Sequence, residues 1–361
     1  MGKLNGITVL DLTQFLPGPM LGVMLADHGA RVIKIEPPGG DPAREQGPFE
    51  GGHSVWFTQL NRGKESRVLD LKREEGKAAL RELVVGADVL LEGFRPGVMA
   101  RLGFDYAAVK ALNPRIVYCS VSAFGQTGEL AHHPAHDLAV QALSGFLSVN
   151  DGPDGTPVVP GAASADMAAS LTALAAVLMA LFGREKTGAG DYIDIAMFDS
   201  LLPWCAHTAG SAIAGGPSPT SGEQHSLGGA GFYQVYATRD ARHVVLGGRE
   251  LKFARNLLTA LGRPDLIPLA EAEAGPAQAP LVAFLRQTFA TRTRAEWVGW
   301  FADKDVAFAP VLDFREAFDQ PHVAARGLLV EAGRRHHLAS PIRFAGEPLP
   351  LPGRVPELGE S

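Results

Sequence analysis

The chain has 361 residues, enough for about two domains. Its 39 acidic residues outnumber its 33 basic ones, for a formal net charge of −6, which excludes a basic face for nucleic acid or anionic lipid. At 46% hydrophobic and 20% charged it is not a disordered chain, and its two cysteines, Cys119 and Cys205, form no CxxC pair, so neither a disulfide framework nor a structural zinc site is expected.

The chain opens without a long apolar leader, and the cytoplasm is the expected compartment. Ile7 to Leu12 reads as a strand, Pro17-Gly18-Pro19 as a turn, and Met20 to His28 as a helix closed by Gly29. Arg31 to Glu36 is a second strand, which completes a βαβ unit and implies a parallel sheet. A strand is expected at Val68 to Lys72, a helix at Arg73 to Gly86, and strands at Asp88 to Glu92 and Arg115 to Val121. A helix is expected over His136 to Leu147.

Met167 to Phe182 carries apolar residues at 167, 171, 174, 178 and 181, a helical period. It is too short to span a bilayer, so a buried helix is expected and no membrane span. Tyr192 to Ala196 reads as a strand.

Residues 1–205 therefore form an α/β layer structure. Residues 206–231, rich in Gly, Ser, Pro and Thr, read as a linker. Residues 232–325 form a smaller α+β unit, with a hairpin at Phe232–Ala237 and His243–Gly247 and helices near 250–261, 278–290 and 294–303. The tail from Leu338 holds five prolines and is expected to return over the first domain or a partner chain.

The first turn, Gln14 to Pro19, has no GxGxxG, and its prolines lack the amides a pyrophosphate needs, so a nicotinamide dinucleotide is not expected. No GxSxG, HExxH or P-loop occurs, and the histidines show no metal-ligand spacing. Two basic clusters, Asn61-Arg62-Gly63-Lys64 and Glu92-Gly93-Phe94-Arg95, lie near strand ends and could hold a phosphate-bearing ligand, although solvated surface charge is the simpler explanation. His136-Asp137 and Asp166 lie near helix starts, with Ser164 a plausible N-cap for the second helix. On residue chemistry alone, Asp166 reads as a capping residue and His136 as a surface histidine.

Several segments in order resemble the family III coenzyme A transferase and α-methylacyl-CoA racemase superfamily. They include Leu4 to Leu12, Leu25 to Pro37, Asn61 to Lys64, Asp88 to Gly97, Gly125 to Gly128 and Asp191 to Asp199. The resemblance implies a Rossmann-like large CoA domain over 1–205, completed by 326–361, and a small domain over 232–325. It also implies a ring-shaped chain in an interlocked homodimer. The substrate would be an acyl-CoA, with no prosthetic group and no metal.

The resemblance further implies that Arg62, Lys64, Lys72 and Arg95 lie near the CoA nucleotide or its phosphates. In the transferases an Asp matching Asp166 is an acyl-carrying nucleophile. In the racemases that Asp pairs with a His thirty residues earlier, here His136, and a Glu-x-Lys/Gln-Phe pattern opens the small domain, here Glu250 to Phe253. Oxalate-type transferases carry a glycine run near there and a Gln where this chain has Leu16.

The favoured expectation is therefore a 2-methylacyl-CoA racemase. His136 and Asp166 would move the α-proton, Glu250 would orient His136, and backbone amides at the Asp166 helix start would hold the enolate oxygen. The alternative is a CoA transferase with Asp166 as nucleophile.

Overall fold

A computed structural model describes residues 2–152 and 154–361. The chain divides into two compact units, residues 1–144, 161–204 and 320–361 in the first and 145–160 and 205–319 in the second. The stretch 206–231, expected as a linker, belongs to the second unit.

In the first unit, β1 (Thr8–Asp11), β2 (Arg31–Glu36), β3 (Glu65–Val68), β4 (Val89–Glu92), β5 (Val117–Ser122) and β6 (Tyr192–Ala196) form one sheet in the order β3-β2-β1-β4-β5-β6. Every neighbouring pair is parallel. The strand order reverses between β1 and β4, and in such sheets ligands bind beyond the carboxyl ends of the strands at that switch point.

Three adjacent strands end in a buried carboxylate. Asp11 Oδ1 accepts the Thr13 amide at 2.9 Å, Glu36 Oε2 accepts the Asp41 amide at 2.8 Å, and Glu92 Oε2 accepts the Phe94 amide at 2.8 Å. Each acid bends the loop that follows its own strand.

The helix α1 (Pro17–Asp27) begins after the β1 loop, with Pro17 in its first turn, where a missing amide costs nothing. A Cβ at Gly18 would stand 2.2 Å from the Thr13 side chain, so only glycine lets the loop and helix approach this closely. α1 packs on α5 (Ser164–Thr187), and Ser170 Oγ donates to the Pro17 carbonyl at 2.8 Å.

α5 is longer than the sequence suggested and turns a different face inward. Ala165, Ala168, Ala169, Ala173 and Val177 are buried, whereas Leu171, Leu178, Met179 and Phe182 are exposed. Small residues let the helices pack close, and most of the large apolar side chains face outward, Leu181 being buried. By length and composition α5 could cross a membrane, but its small-residue face is buried in this unit, as in the core helix of a globular domain.

The strand expected at Val68 to Lys72 is instead β3, ending at Val68; Leu69 and Leu71 fill the core from the turn beyond it. The helix expected over Arg73–Gly86 is α2 (Glu74–Val85), α3 is Tyr106–Leu112, and the helix expected over His136–Leu147 is α4 (Asp137–Leu143), followed by a separate 3-10 turn at Phe146–Val149.

The C-terminal segment runs along the first unit. The Arg354 carbonyl accepts the Gly63 amide at 2.8 Å, and the Ser361 amide donates to the Ser66 carbonyl on edge strand β3 at 3.1 Å.

The second unit is a three-stranded antiparallel sheet, with β8 (His243–Gly247) between β7 (Tyr233–Ala237) and β9 (Phe308–Pro310). Helices over Leu251–Ala260, Ala279–Phe289 and Arg294–Phe301 cover it. Its core is aromatic: Tyr236, Phe289, Trp297 and Phe301 stack together, and Trp297 Nε1 donates to the Phe289 carbonyl at 2.8 Å.

Candidate active site

A cavity of about 540 Å³ opens at the switch point of the first unit. The loop after β1 (Gln14 to Pro17), the loop after β4 (Gly93 to Pro96) and the end of β5 (Val121 to Ala123) line it. So do His133, His136, Asp166, Trp56 and Met197. The structure thus brings His136, Asp166 and Arg95 to one cavity, of the size a small ligand needs.

The β1 loop is held from below by two buried cations. Lys34 Nζ donates to the Thr13 carbonyl at 2.9 Å and pairs with Asp41 at 2.8 Å. Lys64 Nζ donates to Asp11 at 2.7 Å, to the Pro19 carbonyl at 3.0 Å and to Asn61 at 2.9 Å. Burial alone raises the Asp11 carboxyl, but Lys64 and Lys34 outweigh it and hold it below its ordinary range. Burial pulls Lys64 down to about 8. A Cβ at Gly22 would stand 2.8 Å from both Asp11 and Lys64, so α1 closes over this pair only with glycine there.

Above this base, Phe15 is held at φ +64°, a left-handed conformation rare for a bulky residue. Its ring meets the His136 ring edge to face, with centroids 6.1 Å apart.

Asp166 is the third residue of α5. Its carboxyl is pushed up to about 7, first by burial and then by the nearby Asp137 carboxylate. Asp137 also caps α5. Its Oδ1 accepts the Ala165 amide at 2.8 Å and the Asp166 amide at 3.1 Å, while Oδ2 accepts from Gln141.

Two expectations change here. Ser164 is not the cap, because it lies inside the helix and the capping side chain comes from α4. The amides expected to hold an enolate oxygen are already engaged by Asp137. In the sequence Asp137 reads only as the neighbour of His136; its capping bonds span 28 and 29 positions, which no local signal reveals.

The other expected residues lie elsewhere. Arg62 is buried and donates to Asp27 at 2.7 Å and to the Gln59 carbonyl. Lys64 has no exposed side-chain surface. Both are interior ion-pair partners in this structure, each engaged with a buried carboxylate. Lys72 lines a separate cavity of about 240 Å³ beyond β1, β2 and β3, with Ile35, Pro37, Leu69 and Leu71; Gln14 and Phe94 border both cavities. Glu250 belongs to the second unit, is exposed, and lines a cavity there with His225, Phe232 and Arg249. Among the described residues no group of three His, Cys, Asp or Glu could hold a metal ion.

The profile of CoA-transferase family III matches residues 4–361. The chain is 38% identical to the acetyl-CoA:oxalate CoA-transferase of Acetobacter aceti, over 99% of this chain and 94% of that protein. It is 34% identical to the human alpha-methylacyl-CoA racemase, over 99% of this chain and 91% of that one. A CAIB/BAIF family protein from Brucella suis superposes with a TM-score of 0.87 at 32% identity, over 99% of this chain and 97% of that one.

The raised carboxyl of Asp166 has a consequence for stability. Its folded ionisation lies above the unfolded one, so between about pH 4 and pH 7 the folded state keeps a proton that the unfolded state has released. Stability contributed by the neutral form is therefore lost as pH rises through that window. Asp166→Asn stays neutral. It should gain about 1–2 kcal/mol on the wild type between about pH 5 and about pH 8, read by urea unfolding at the two values. An equal difference at both would contradict the raised ionisation.

Proposed function

The chain belongs to CoA-transferase family III, and from that premise we propose that it moves coenzyme A between carboxylic acids, with Asp166 as the nucleophile. One observation carries this reading over the racemase expectation. The Asp166 carboxyl faces a cavity while its own amide and that of Ala165 are taken by Asp137. The helix start therefore offers a nucleophile and not the oxyanion site that an enolate needs. The higher identity to the oxalate transferase supports the same choice.

The reaction balances without an external reagent. The ionised Asp166 attacks the thioester carbonyl, the C–S bond breaks, and CoA leaves as a thiolate, so that the acyl group is held on Asp166 as a mixed anhydride. The thiolate attacks the aspartyl carbonyl and releases the donor acid, leaving an aspartyl-CoA thioester. An acceptor carboxylate attacks that carbonyl and expels the thiolate. The thiolate then attacks the new acyl carbonyl, which gives the new acyl-CoA and frees Asp166.

A carboxyl titrating near 7 is more basic than an ordinary aspartate, so its ionised form is a stronger nucleophile. His136 lines the same cavity, and in this reading it donates to the thioester oxygen as charge develops. The cavity at Lys72 sits beyond the ends of β1 to β3, has apolar walls, and is suited to the nucleotide end of CoA. The racemase reading is the second one. It rests on His136 and Asp166 lining the same cavity, as an acid–base pair would.

The outward stripe of Leu171, Leu178, Met179 and Phe182 on α5 supports a homodimer, since large apolar side chains in a row mark a contact surface. Light scattering should give twice the 38.2 kDa chain mass; a monomer would contradict this part of the reading.

CoA should pass from acetyl-CoA to an added acid, with a rate that rises as pH climbs through about 7, because Asp166 must be ionised to attack. Asp166→Ala should lower that rate about 10³-fold or more. His136→Ala should lower it about 10²-fold, the cost of one donor to the developing oxyanion. Solvent deuterium appearing at the α-carbon of a 2-methylacyl-CoA without any acid, with no CoA transfer, would favour the racemase.

A further inference from the structure

The backbone of Phe15 is strained, and the ring it carries is not buried. Among the described residues three other than glycine adopt a positive φ: Phe15 at +64°, Ala241 at +55° and Arg334 at +63°. Ala241 closes the hairpin between β7 and β8, and Arg334 closes the hairpin between Leu329–Ala332 and Arg335–Leu338. A tight hairpin turn calls for that conformation. Phe15 instead stands in the loop between β1 and α1, on the wall of the cavity that His136 and Asp166 also line.

A left-handed backbone is unfavourable for any residue with a Cβ, and more so for a bulky one, so glycine would suit this loop better. Core burial does not account for the choice of Phe, because the residue is 36% exposed. A strained residue that packing does not explain points to what its side chain does at the site.

The ring is held in place by the chain on both sides of it. Before it, the Thr13 amide donates to Asp11 at 2.9 Å and the Thr13 carbonyl accepts Lys34 Nζ at 2.9 Å. After it, the Leu16 carbonyl accepts the Met20 amide at 2.9 Å and the Pro17 carbonyl accepts Ser170 Oγ at 2.8 Å. The ring meets the His136 ring edge to face, with centroids 6.1 Å apart. In the reading above His136 donates to the thioester oxygen, so a ring packed against it borders the acyl group beside the carbonyl carbon. A fixed aromatic wall there leaves room for a short, unbranched acyl group and collides with a branch.

We infer that Phe15 is a specificity-determining residue: its ring limits the bulk of the acyl group next to the thioester carbonyl and so selects acyl-CoA donors unbranched at the α-carbon. This rests on the transferase reading, in which the acyl group reacts at Asp166. The anchored loop makes the limit a steep one, because the wall does not move aside for a larger group. The strain of the left-handed backbone is the cost of placing a ring at that point.

The test uses the full-length enzyme with acetyl-CoA, butyryl-CoA and isobutyryl-CoA as donors. The acceptor is whichever of isotope-labelled acetate, oxalate or succinate the wild type uses fastest. Phe15→Gly removes the ring and the strain together. It should raise kcat/KM for isobutyryl-CoA relative to acetyl-CoA about 10-fold or more, the effect of admitting one further methyl group to a fixed apolar pocket. Phe15→Leu should move the ratio the same way by less, and it decides the matter alone if the glycine variant does not fold. The urea midpoint of Phe15→Gly should stay at or above that of the wild type, because glycine relieves the left-handed backbone.

An isobutyryl-to-acetyl ratio within about twofold of wild type in both variants overturns the inference. With that ratio unmoved, a lower midpoint would make the ring a packing group, and an equal slowing of all three donors would make it only a support for His136. A wild type that moves CoA onto none of the three acids overturns the transferase reading itself, and this inference with it.

Discussion

The site depends on buried carboxylates at the ends of three neighbouring strands. Asp11, Glu36 and Glu92 each turn back to accept an amide of the loop that follows. A carboxylate has little reason to be buried unless it is fully engaged. Two of the three are neutralised, Asp11 by Lys64 and Glu36 by the paired donors of Arg44. Among the described residues Glu92 has no such cation, and burial raises its carboxyl. Breaking one of these pairs leaves a charge stranded in the interior, so the loops above them have little freedom to rearrange. The crevice at the switch point is therefore preformed, and the strained Phe15 persists there because the loop on either side of it is anchored.

The same economy recurs one layer higher. Asp137 saturates the start of α5, as a capping acid should, but it comes from another helix. It therefore ties α4, which carries His136 at its start, to the helix that carries Asp166. It also brings a second negative charge close to Asp166, which together with burial lifts that carboxyl toward neutrality. Structural capping and chemical tuning come from the same oxygen atoms. The short side chains on the inner face of α5 complete the arrangement, since they let α1 and the β1 loop approach closely.

Much of this fold was legible in the sequence because its strands are apolar runs separated by helical periods. β2, β6 and β8 fall where the pattern put them. β3 did not, because an edge strand reading Glu-Ser-Arg-Val looks polar, while the apolar Leu69 and Leu71 belong to the turn beyond it. The face of α5 was misread for a related reason. Hydrophobicity marks the largest side chains, but close helix packing selects the smallest. The ion pairs of Arg62 and Lys64 are invisible in the sequence, because their partners, Asp27 and Asp11, lie 35 and 53 positions away. Local sequence does not show whether such a cation is buried or exposed. His136 and Asp166 came together through resemblance, and their shared cavity became visible only with the strand order.

The central claim is that Asp166 forms a bond to the substrate. The most direct measurement is the intact mass of the protein after brief incubation with an acyl-CoA and an acid quench, followed by peptide mapping. The account predicts added mass on the peptide containing Asp166, matching an acyl or CoA adduct, and its absence in Asp166→Asn. An unmodified protein that nonetheless exchanges the α-proton of its substrate for solvent deuterium would contradict it and make Asp166 an acid–base group.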